Sequence, residues 1–256
     1  MSLNRPRKVS SNKSSCAPED TLTEDGCQLI YSNADFIVVD KPAGSNLHRN
    51  DRGESLVDRL KKALGLNSLF LVHRLDDDTS GLLMLAKHPA AAQEFGRLFA
   101  NDGVAKCYVA LADGKPKKKQ GRVVGDLLKA RNGNYRLSQD RVNPSRTHFF
   151  SYSLSPGRRL YLLRPYTGKT HQLRVVMKSL GVPILGDRRY GPAEQQGCWD
   201  RLYLHAYSLQ FSLAGQPYEF QRLPTVGREF AVGACQAALL DLASPWSLAW
   251  PDRSCR

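Results

Sequence analysis

No apolar run in this chain of 256 residues approaches the ~18 to 20 consecutive residues that a membrane-spanning helix requires. The first twenty residues also lack the apolar stretch of a secretory signal peptide. The six cysteines are scattered without a Cys-x-x-Cys pair, and no export signal accompanies them. We therefore expect a globular protein of the reducing cytoplasm that has no membrane partner.

Acidic residues are few relative to basic ones. The chain has 24 Asp and Glu against 37 Lys and Arg, a formal net charge of +13. This excess indicates a polyanionic partner, because Lys and Arg gain binding free energy by releasing counterions from phosphates. A generally basic surface is the alternative, and clustering argues against it. Four lysines lie between Lys115 and Lys119, and Arg158 to Arg189 holds eight basic residues and one acid, Asp187.

Predicted strands outnumber predicted helices and mostly follow one another, which favours an α+β fold over a doubly wound one. β-Branched and aromatic runs predict strands, and helical spacing of apolar residues predicts helices. The predicted strands are Gln28–Tyr31, Phe36–Asp40, Leu69–Val72, Leu82–Ala86, Lys106–Leu111, Thr147–Ser153, Arg159–Leu163, Leu202–Leu213 and Tyr218–Gln221, with a weak one around Tyr135. The predicted helices are Glu54–Leu64, Pro89–Ala100, Thr170–Leu180 and Ala231–Leu242.

The chain divides into a tail and one domain. Residues 1–22 are basic and polar, a composition that predicts disorder. Residues 23–256 show no clear linker, and we expect a single domain with a helical extension towards its C-terminal end. Within it, Gly114 to Gly121 is predicted to be a mobile lysine-rich loop.

The stretch from Leu69 to Lys87 places a polar centre between two apolar runs. Such runs beside a glycine-containing turn predict two buried strands joined by a loop, and Asp76 lies in that loop. Because strand ends hold a reactive group rigidly, Asp76 is a candidate for a positioned carboxylate. An ordinary solvated loop is the alternative.

A calcium loop is a second alternative. Asp76, Asp78, Ser80 and Gly81 occupy positions one, three, five and six of an EF-hand loop. Position twelve of that loop must be a bidentate Glu, and here the residue is Lys87. The apolar run after Gly81 is also too compact for the flanking helix, so the calcium interpretation is excluded.

Four segments in order resemble the RluA-like pseudouridine synthases, and a fifth fits them. The four are Tyr31–Gly44, His73–Lys87, Lys106–Gly114 and Arg164–Gly191, and the fifth is Arg201–Phe211. Order and spacing match across roughly residues 28 to 221, which makes the resemblance far more specific than any single segment. It implies a central mixed, mostly antiparallel sheet with flanking helices and a catalytic cleft.

The resemblance implies an enzyme that isomerises uridine to pseudouridine in RNA. The expected partner is a ribosomal RNA or tRNA stem-loop, with no obligatory protein partner, and we expect a monomer. The reaction needs no redox change or energy input, so no cofactor is expected. No histidine or cysteine spacing indicates a metal site either. We see no separate N-terminal RNA-binding domain of the kind that many relatives carry.

Three residues match the family's catalytic positions. Asp76 is implied to be the essential carboxylate, which either attacks covalently or removes a sugar proton. Tyr108 matches a tyrosine suited to stacking on uracil and to accepting its C5 proton; a core aromatic is the alternative. Arg174 matches the arginine that pairs with the aspartate, where a cation keeps a buried carboxylate ionised.

Five further residues match positions that contact the substrate or the RNA. Leu173 matches an apolar position in the uracil pocket, and Arg74 resembles the residue that fills the gap left by a flipped base. The full set is His73, Arg74, Lys169, His171 and Leu173.

Two residues depart from the family pattern. Asp77 stands where a basic or polar residue is frequent, and Lys169 stands where arginine is usual, which loses bidentate phosphate geometry. Both departures concern substrate preference rather than the chemistry. A non-catalytic RNA-binding protein or RNA chaperone that keeps the fold is the rival interpretation, and the intact set Asp76, Tyr108 and Arg174 argues against it.

Overall fold

A ten-stranded sheet runs through the residues described by the computed structural model, which are 23–24, 26–47 and 53–250. Its strands are β1 (Gln28–Ser32), β2 (Phe36–Lys41), β3 (Phe70–Leu71), β4 (Ser80–Ala86), β5 (Val104–Asp113), β6 (Gln120–Gly125), β9 (Ser145–Ser155), β10 (Arg158–Pro165), β11 (Leu204–Leu213) and β12 (Gln216–Gln221). A separate hairpin consists of β7 (Leu127–Lys129) and β8 (Tyr135–Leu137). The predicted tail, residues 1–22, lies outside the described residues and stays a prediction.

The strand order is β1-β2-β4-β11-β5-β10-β9-β6, with β3 beside β4 and β12 beside β11. Every neighbouring pair is antiparallel except β4 and β11, which are parallel. The predicted α+β fold with a mixed, mostly antiparallel sheet is therefore confirmed. The parallel pair lies near the centre of the sheet, where it brings the loop before β4 close to β5.

Both faces of the sheet are buried, so alternate residues of the central strands enter different cores. In β4, Leu83 and Leu85 enter the larger core, whereas Leu82 and Met84 enter the smaller one. Four helices supply the other side of each core: α1 (Leu56–Ala63), α2 (Pro89–Ala100), α3 (Gln172–Ser179) and α4 (Gly233–Asp241). Buried residues of α2 belong to the smaller core, and those of α1, α3 and α4 belong to the larger.

Helix α2 has the predicted bounds. The residue before it and its first residue both stabilise a helix start. His88 caps it by accepting a hydrogen bond from the Ala91 N–H at its Nδ1, 3.2 Å away. Pro89 follows at the first helical position, where the missing N–H costs nothing.

Other predicted boundaries are wrong. Strand β6 begins at Gln120, inside the predicted lysine-rich loop, and both β6 and β7 were missed because their short sequences lack a regular alternation. Helix α3 begins at Gln172 rather than Thr170, because His171 has a left-handed backbone with φ of 55°. His205 in β11 is 2% exposed and so lies in the core.

Candidate active site

A cleft of about 610 Å³ opens at the centre of the sheet, between the loop before β4, the middle of β5 and the start of α3. The sequence predicted eight site residues that are far apart in the chain, and all of them line this cleft. They are His73, Arg74, Asp76, Tyr108, Lys169, His171, Leu173 and Arg174.

The loop that carries Asp76 is tied down by its backbone. A turn forms where the Thr79 N–H donates to the Asp76 carbonyl at 3.0 Å. Lys41 at the end of β2 is fully buried, and its ammonium donates to the carbonyls of Asp77 at 2.7 Å, Thr79 at 3.0 Å and Pro42 at 3.0 Å. Three carbonyl acceptors satisfy the three ammonium protons, so this buried charge fixes the loop.

Gly81 allows the same loop to pass against β11. Its φ of +105° is unfavourable for a side chain, and an added Cβ would lie 2.4 Å from the Ala206 carbonyl oxygen. The parallel pairing of Gly81 with Ala206 therefore requires glycine. This close approach sets how far the Asp76 loop reaches over the sheet.

Arg174 is the charged centre of the site and is 4% exposed. Its Nη1 lies 3.4 Å from Asp76 Oδ2, and Asp76 keeps 18% of its side chain exposed. Its Nε and Nη2 donate to the two carboxylate oxygens of Asp187 at 2.8 and 2.7 Å. Burial alone would lower the pKa of Arg174, but the hydrogen bonds and charges of Asp187 and Asp76 outweigh it and raise that pKa above its ordinary value.

Asp187 is a site residue that sequence reasoning missed. Its side chain is fully buried, and besides Arg174 it accepts hydrogen bonds from the backbone N–H groups of Arg189 at 2.9 Å and Tyr190 at 3.0 Å. Asp187 thus sets the orientation of the guanidinium that faces Asp76. The sequence did hold a signal, since Asp187 is the one acid in the basic stretch Arg158 to Arg189.

Tyr108 lies in the middle of β5, 9% exposed, where it pairs with Ala206 on one side and Leu163 on the other. Burial, and then the negative charge of Asp76, raise the pKa of its phenol well above the ordinary value. The phenol therefore keeps its proton at physiological pH. Leu173, 7% exposed, adds an apolar surface to the same cleft.

His73 forms part of the cleft wall as a neutral imidazole. Its Nε2 accepts a hydrogen bond from the Met84 N–H at 2.9 Å, and its ring packs on Phe99 with centroids 5.2 Å apart. Burial, and then the charge of Lys106, lower the pKa of His73 to about 3. Burial also lowers the pKa of Lys106, whose ammonium lies 5.5 Å from the centroid of Phe99.

Basic side chains surround the mouth of the cleft. Arg74 is exposed, and Lys169 lies on the loop before α3, where its N–H donates to Gln172 Oε1 at 3.1 Å. The Lys169 ammonium contacts the Asn143 carbonyl. Arg146 is exposed, and its guanidinium makes a long contact of 3.5 Å to Asp102. These cations place positive charge at the mouth of the cleft, where it would attract an anionic ligand.

Residues 23–24, 26–47 and 53–250 contain no group of three or more His, Cys, Asp or Glu side chains that could hold a metal ion. The cysteines in this part of the chain are free, and three of the four are buried. None of the helices described there has the length and apolar character needed to cross a membrane.

The inner part of the cleft combines a fixed carboxylate with a buried phenol and an apolar wall. Such a site can hold a planar uncharged ring against Tyr108 and Leu173 while a carboxylate oxygen approaches the attached sugar. Placing the carboxylate beside a buried arginine keeps it available as a nucleophile or a base.

Comparison with known proteins gives consistent matches. Residues 35–179, which include Asp76, Tyr108 and Arg174, match the sequence profile of an RNA pseudouridylate synthase family. The chain is 45% identical over 201 residues to an RNA pseudouridine synthase of Haemophilus influenzae, covering 78% of this chain and 89% of that protein. It is 34% identical over 190 residues to ribosomal large subunit pseudouridine synthase C of Rickettsia bellii, covering 72% of this chain and 63% of that protein. The solved structure of human RNA pseudouridylate synthase domain containing 1 has a TM-score of 0.69 at 25% identity, over 92% of this chain and 100% of that one.

Proposed function

This chain belongs to the RNA pseudouridylate synthase family, of the RluA-like type, and we propose that Asp76 is the carboxylate with which it isomerises uridine in RNA. The enzyme is an RNA pseudouridine synthase and hence an isomerase. The observation that carries the role of Asp76 is its place in the cleft, on a loop held by Lys41 and 3.4 Å from the buried Arg174.

The reaction defines what the site must do. The bond between N1 of uracil and C1′ of ribose breaks, the detached base turns, and its C5 joins the same C1′. The proton on C5 is lost and N1 gains one, so neither an oxidant nor an energy source enters the balance. Asp76 either attacks the sugar covalently or removes a sugar proton, and the geometry suits both.

Arg174 places a positive charge beside Asp76 and holds that carboxylate in position in this proposal. Its guanidinium is already held by two hydrogen bonds to Asp187, so it does not have to be ordered when the substrate arrives. Preorganised charge of this kind costs no reorganisation during the reaction. Asp187 therefore acts through Arg174 rather than on the substrate.

Tyr108 and Leu173 are proposed to hold the detached uracil. Both are buried, both line the cleft, and the protonated phenol offers a flat surface without charge. The hydroxyl of Tyr108 is also a candidate acceptor for the C5 proton. Because a neutral phenol is a very weak base, its oxygen can take that proton only as its own proton passes to another acceptor.

The outer residues are proposed to guide RNA into the cleft. Arg74 and Lys169 supply positive charge at the mouth, while His73 and His171 line the wall of the cleft. A uridine must leave its stack to reach Asp76, which costs a few kcal/mol and favours a stem-loop over a duplex. We propose that Arg74, which is exposed and lines the cleft, fills the gap that the flipped base leaves.

We propose structured ribosomal RNA as the first substrate to test, with tRNA as the second. The support is the 34% identity to a ribosomal large subunit pseudouridine synthase, of which this chain spans 63%. We further propose that the chain acts in the cytoplasm, as a monomer and without a cofactor. Sequencing of pseudouridines in total RNA, with and without the protein, identifies the RNA and the site.

Tritium release from RNA labelled at C5 of uridine tests the assignment of Asp76. We expect Asp76→Asn to release no tritium above background while it still binds RNA, because an amide is neither nucleophile nor base. The matched control is Asp78→Asn, which removes an exposed carboxylate two residues away and should leave release near the wild-type rate. Normal turnover by Asp76→Asn would overturn the mechanism, and an inactive wild-type protein that binds RNA would favour the non-catalytic rival.

A further inference from the structure

Tyr190 lies behind the cleft wall and is 3% exposed. It contacts three residues around the site, in α3, directly before α3 and in β8. Its ring packs against the guanidinium of Arg174, whose central carbon is 5.3 Å from the ring centroid. Its hydroxyl oxygen lies 2.9 Å from Nδ1 of His171. The same oxygen accepts a hydrogen bond of 3.0 Å from the backbone N–H of Tyr135, in strand β8 of the small hairpin.

These two hydrogen bonds determine where the hydroxyl proton of Tyr190 points. A phenol has one proton to donate and lone pairs to accept with. The backbone N–H of Tyr135 can only donate, so it uses a lone pair. Among the described residues the hydroxyl proton has no other acceptor within hydrogen-bond distance, so we assign it to Nδ1 of His171. Burial raises the pKa of the Tyr190 phenol, so this proton is retained at neutral pH.

His171 accepts the hydrogen bond from Tyr190 as a neutral imidazole. Burial lowers its pKa first, Arg174 and Arg189 lower it further, and Asp76 and Asp187 act in the opposite direction. A neutral imidazole that accepts at Nδ1 carries its own proton on Nε2. The hydrogen bond from the buried tyrosine therefore selects one of two tautomers.

The backbone of His171 supports a functional reason for this placement. Its φ of 55° is left-handed, which is uncommon for a residue other than glycine and is found most often at functional sites. The side chain does not cap α3, although His171 is the residue before it. His171 lines the cleft while Tyr190 lies behind it, so the Nε2 edge is the one on the cleft side. Within the described part of the chain, Nε2 contacts no acceptor.

We propose that Tyr190 is a positioning residue that holds His171 as the Nε2–H tautomer, ready to donate a hydrogen bond to an acceptor oxygen of the target nucleotide. This inference rests on the proposed function, because it requires RNA to enter this cleft. Through Tyr135, the same hydroxyl also joins the small hairpin to the active site. Tyr190 does not touch the substrate and acts only through His171 and Arg174.

Nitrogen NMR of ¹⁵N-histidine-labelled protein tests the tautomer directly, with His171→Gln used to assign the signal. In the wild type we expect an unprotonated Nδ1 and a protonated Nε2 at neutral pH. Tyr190→Phe keeps the ring against Arg174 and removes the hydroxyl, so the His171 signals should move towards a mixture of tautomers. An Nδ1–H tautomer in the wild type, or unchanged His171 signals in Tyr190→Phe, would overturn the proposal.

Kinetics give a second measurement. We expect Tyr190→Phe to lower single-turnover tritium release at saturating RNA by about tenfold, the scale of one hydrogen bond, with RNA affinity nearly unchanged. The matched control is Tyr207→Phe, which loses buried hydroxyl bonds of 3.2 and 3.3 Å to the carbonyls of Leu239 and Leu242, on the C-terminal helix and just after it. That control should lose stability without a change in the His171 signals or in the rate. Equal rate losses in both variants would show that Tyr190 is merely structural.

Substituted RNAs identify the acceptor. With 2-thiouridine, 4-thiouridine or 2′-deoxyuridine at the target, the rate loss of Tyr190→Phe should shrink for the RNA that lacks the accepting oxygen. A loss kept on all three assigns the acceptor to a phosphate. If the wild type makes no pseudouridine, the proposed function fails, whereas the NMR result still decides the tautomer.

Discussion

Positive charge is used in two different ways in this molecule. The inner ion cluster, Asp76, Arg174 and Asp187, is buried or nearly so, and its one cation is held by two carboxylates. The lysine loop, Lys115 to Lys119, carries four exposed lysines. Arg174 has a fixed orientation because its hydrogen bonds define it, whereas an exposed lysine is a mobile point charge in water. The comparison teaches that the net charge of +13 indicates RNA binding but says little about catalysis.

The largest effect on folding stability should come from replacing Asp187, the carboxylate that holds Arg174. Asp187→Ala would leave the buried guanidinium of Arg174 with one distant partner, and breaking a buried pair typically costs about 3–5 kcal/mol of folding stability. Urea unfolding should show this loss, together with slower tritium release from the folded fraction. Asp187→Asn keeps the shape and one acceptor, so its loss should be smaller. A stability loss below about 1 kcal/mol for Asp187→Ala would mean that Asp187 does not hold Arg174 in place. The difference between a fixed inner cation and mobile outer ones would then be wrong.

Arg174 itself should affect the rate more than RNA affinity. Arg174→Ala removes the cation beside Asp76, and we expect tritium release at saturating RNA to fall by about 100-fold or more, as for other preorganised charges. Arg174→Lys should recover part of the rate, since the charge returns without the two-pronged geometry. Weaker RNA binding with normal turnover at saturation would instead place Arg174 with the lysine loop, as a residue that binds phosphate.

The sequence predicted the residues of the inner site and the lysine loop. It did not predict the buried residues that hold the inner site in place. Asp76, Tyr108 and Arg174 were predicted because they lie in recognisable segments. Helix α2 was predicted because Pro89 marks its start and its apolar residues have helical spacing. Asp187, Lys41 and Tyr190 were given no role because their partners lie at long sequence separation. Asp187 binds Arg174 thirteen positions away, and Lys41 binds the Asp77 carbonyl across thirty-six. Such interactions depend on the tertiary fold rather than on local pattern.

Strand boundaries were also hard to predict from local sequence. Among the described residues, strand β6 pairs only with β9, at an edge of the sheet. Its residues Gln120 to Gly125 alternate poorly between apolar and polar. Its existence depends on the neighbouring strand rather than on its own composition, since strand preferences are strongly context-dependent. The start of α3 was misplaced for a different reason, because nothing in the sequence Thr-His-Gln reveals the left-handed backbone of His171.

The pH dependence of folding stability tests a third kind of basic group, a buried histidine that carries no charge in the folded protein. Burial, and then the nearby guanidinium groups, lower the pKa of His205 to about 3, against the hydrogen bond it makes to the Arg222 carbonyl. The unfolded chain takes up this proton near pH 6.5 and the folded one does not, so stability is complete above pH 6.5 and is lost as pH falls towards 3. Lowering the pH from 7 to 5 should cost up to about 2 kcal/mol from this residue.

Urea unfolding at pH 7 and pH 5 measures that loss. His205→Gln should be less stable than the wild type at pH 7, because it also disturbs the 2.7 Å hydrogen bond with Ser80 Oγ, but its further loss on acidification should be smaller. An identical slope in His205→Gln would show that His205 is protonated in the folded protein.

The smallest effect on turnover should come from the lysine loop, and it should appear only in binding. Replacing Lys115, Lys117, Lys118 and Lys119 by Ala should weaken binding to many RNAs alike and leave single-turnover tritium release unchanged at saturating RNA. Each lysine–phosphate interaction that the substitutions remove should lower the slope of log affinity against log salt by up to about 0.7 to 0.9. The matched control replaces Lys61 and Lys62, at the end of α1, where the 2.6 Å pair of Lys62 with Glu54 already offsets one charge. If the two sets change the slope equally per lysine removed, RNA responds to the total charge rather than to this loop. A lower rate at saturation would mean that the loop reaches the reacting uridine, and the separation between inner and outer charges would be wrong.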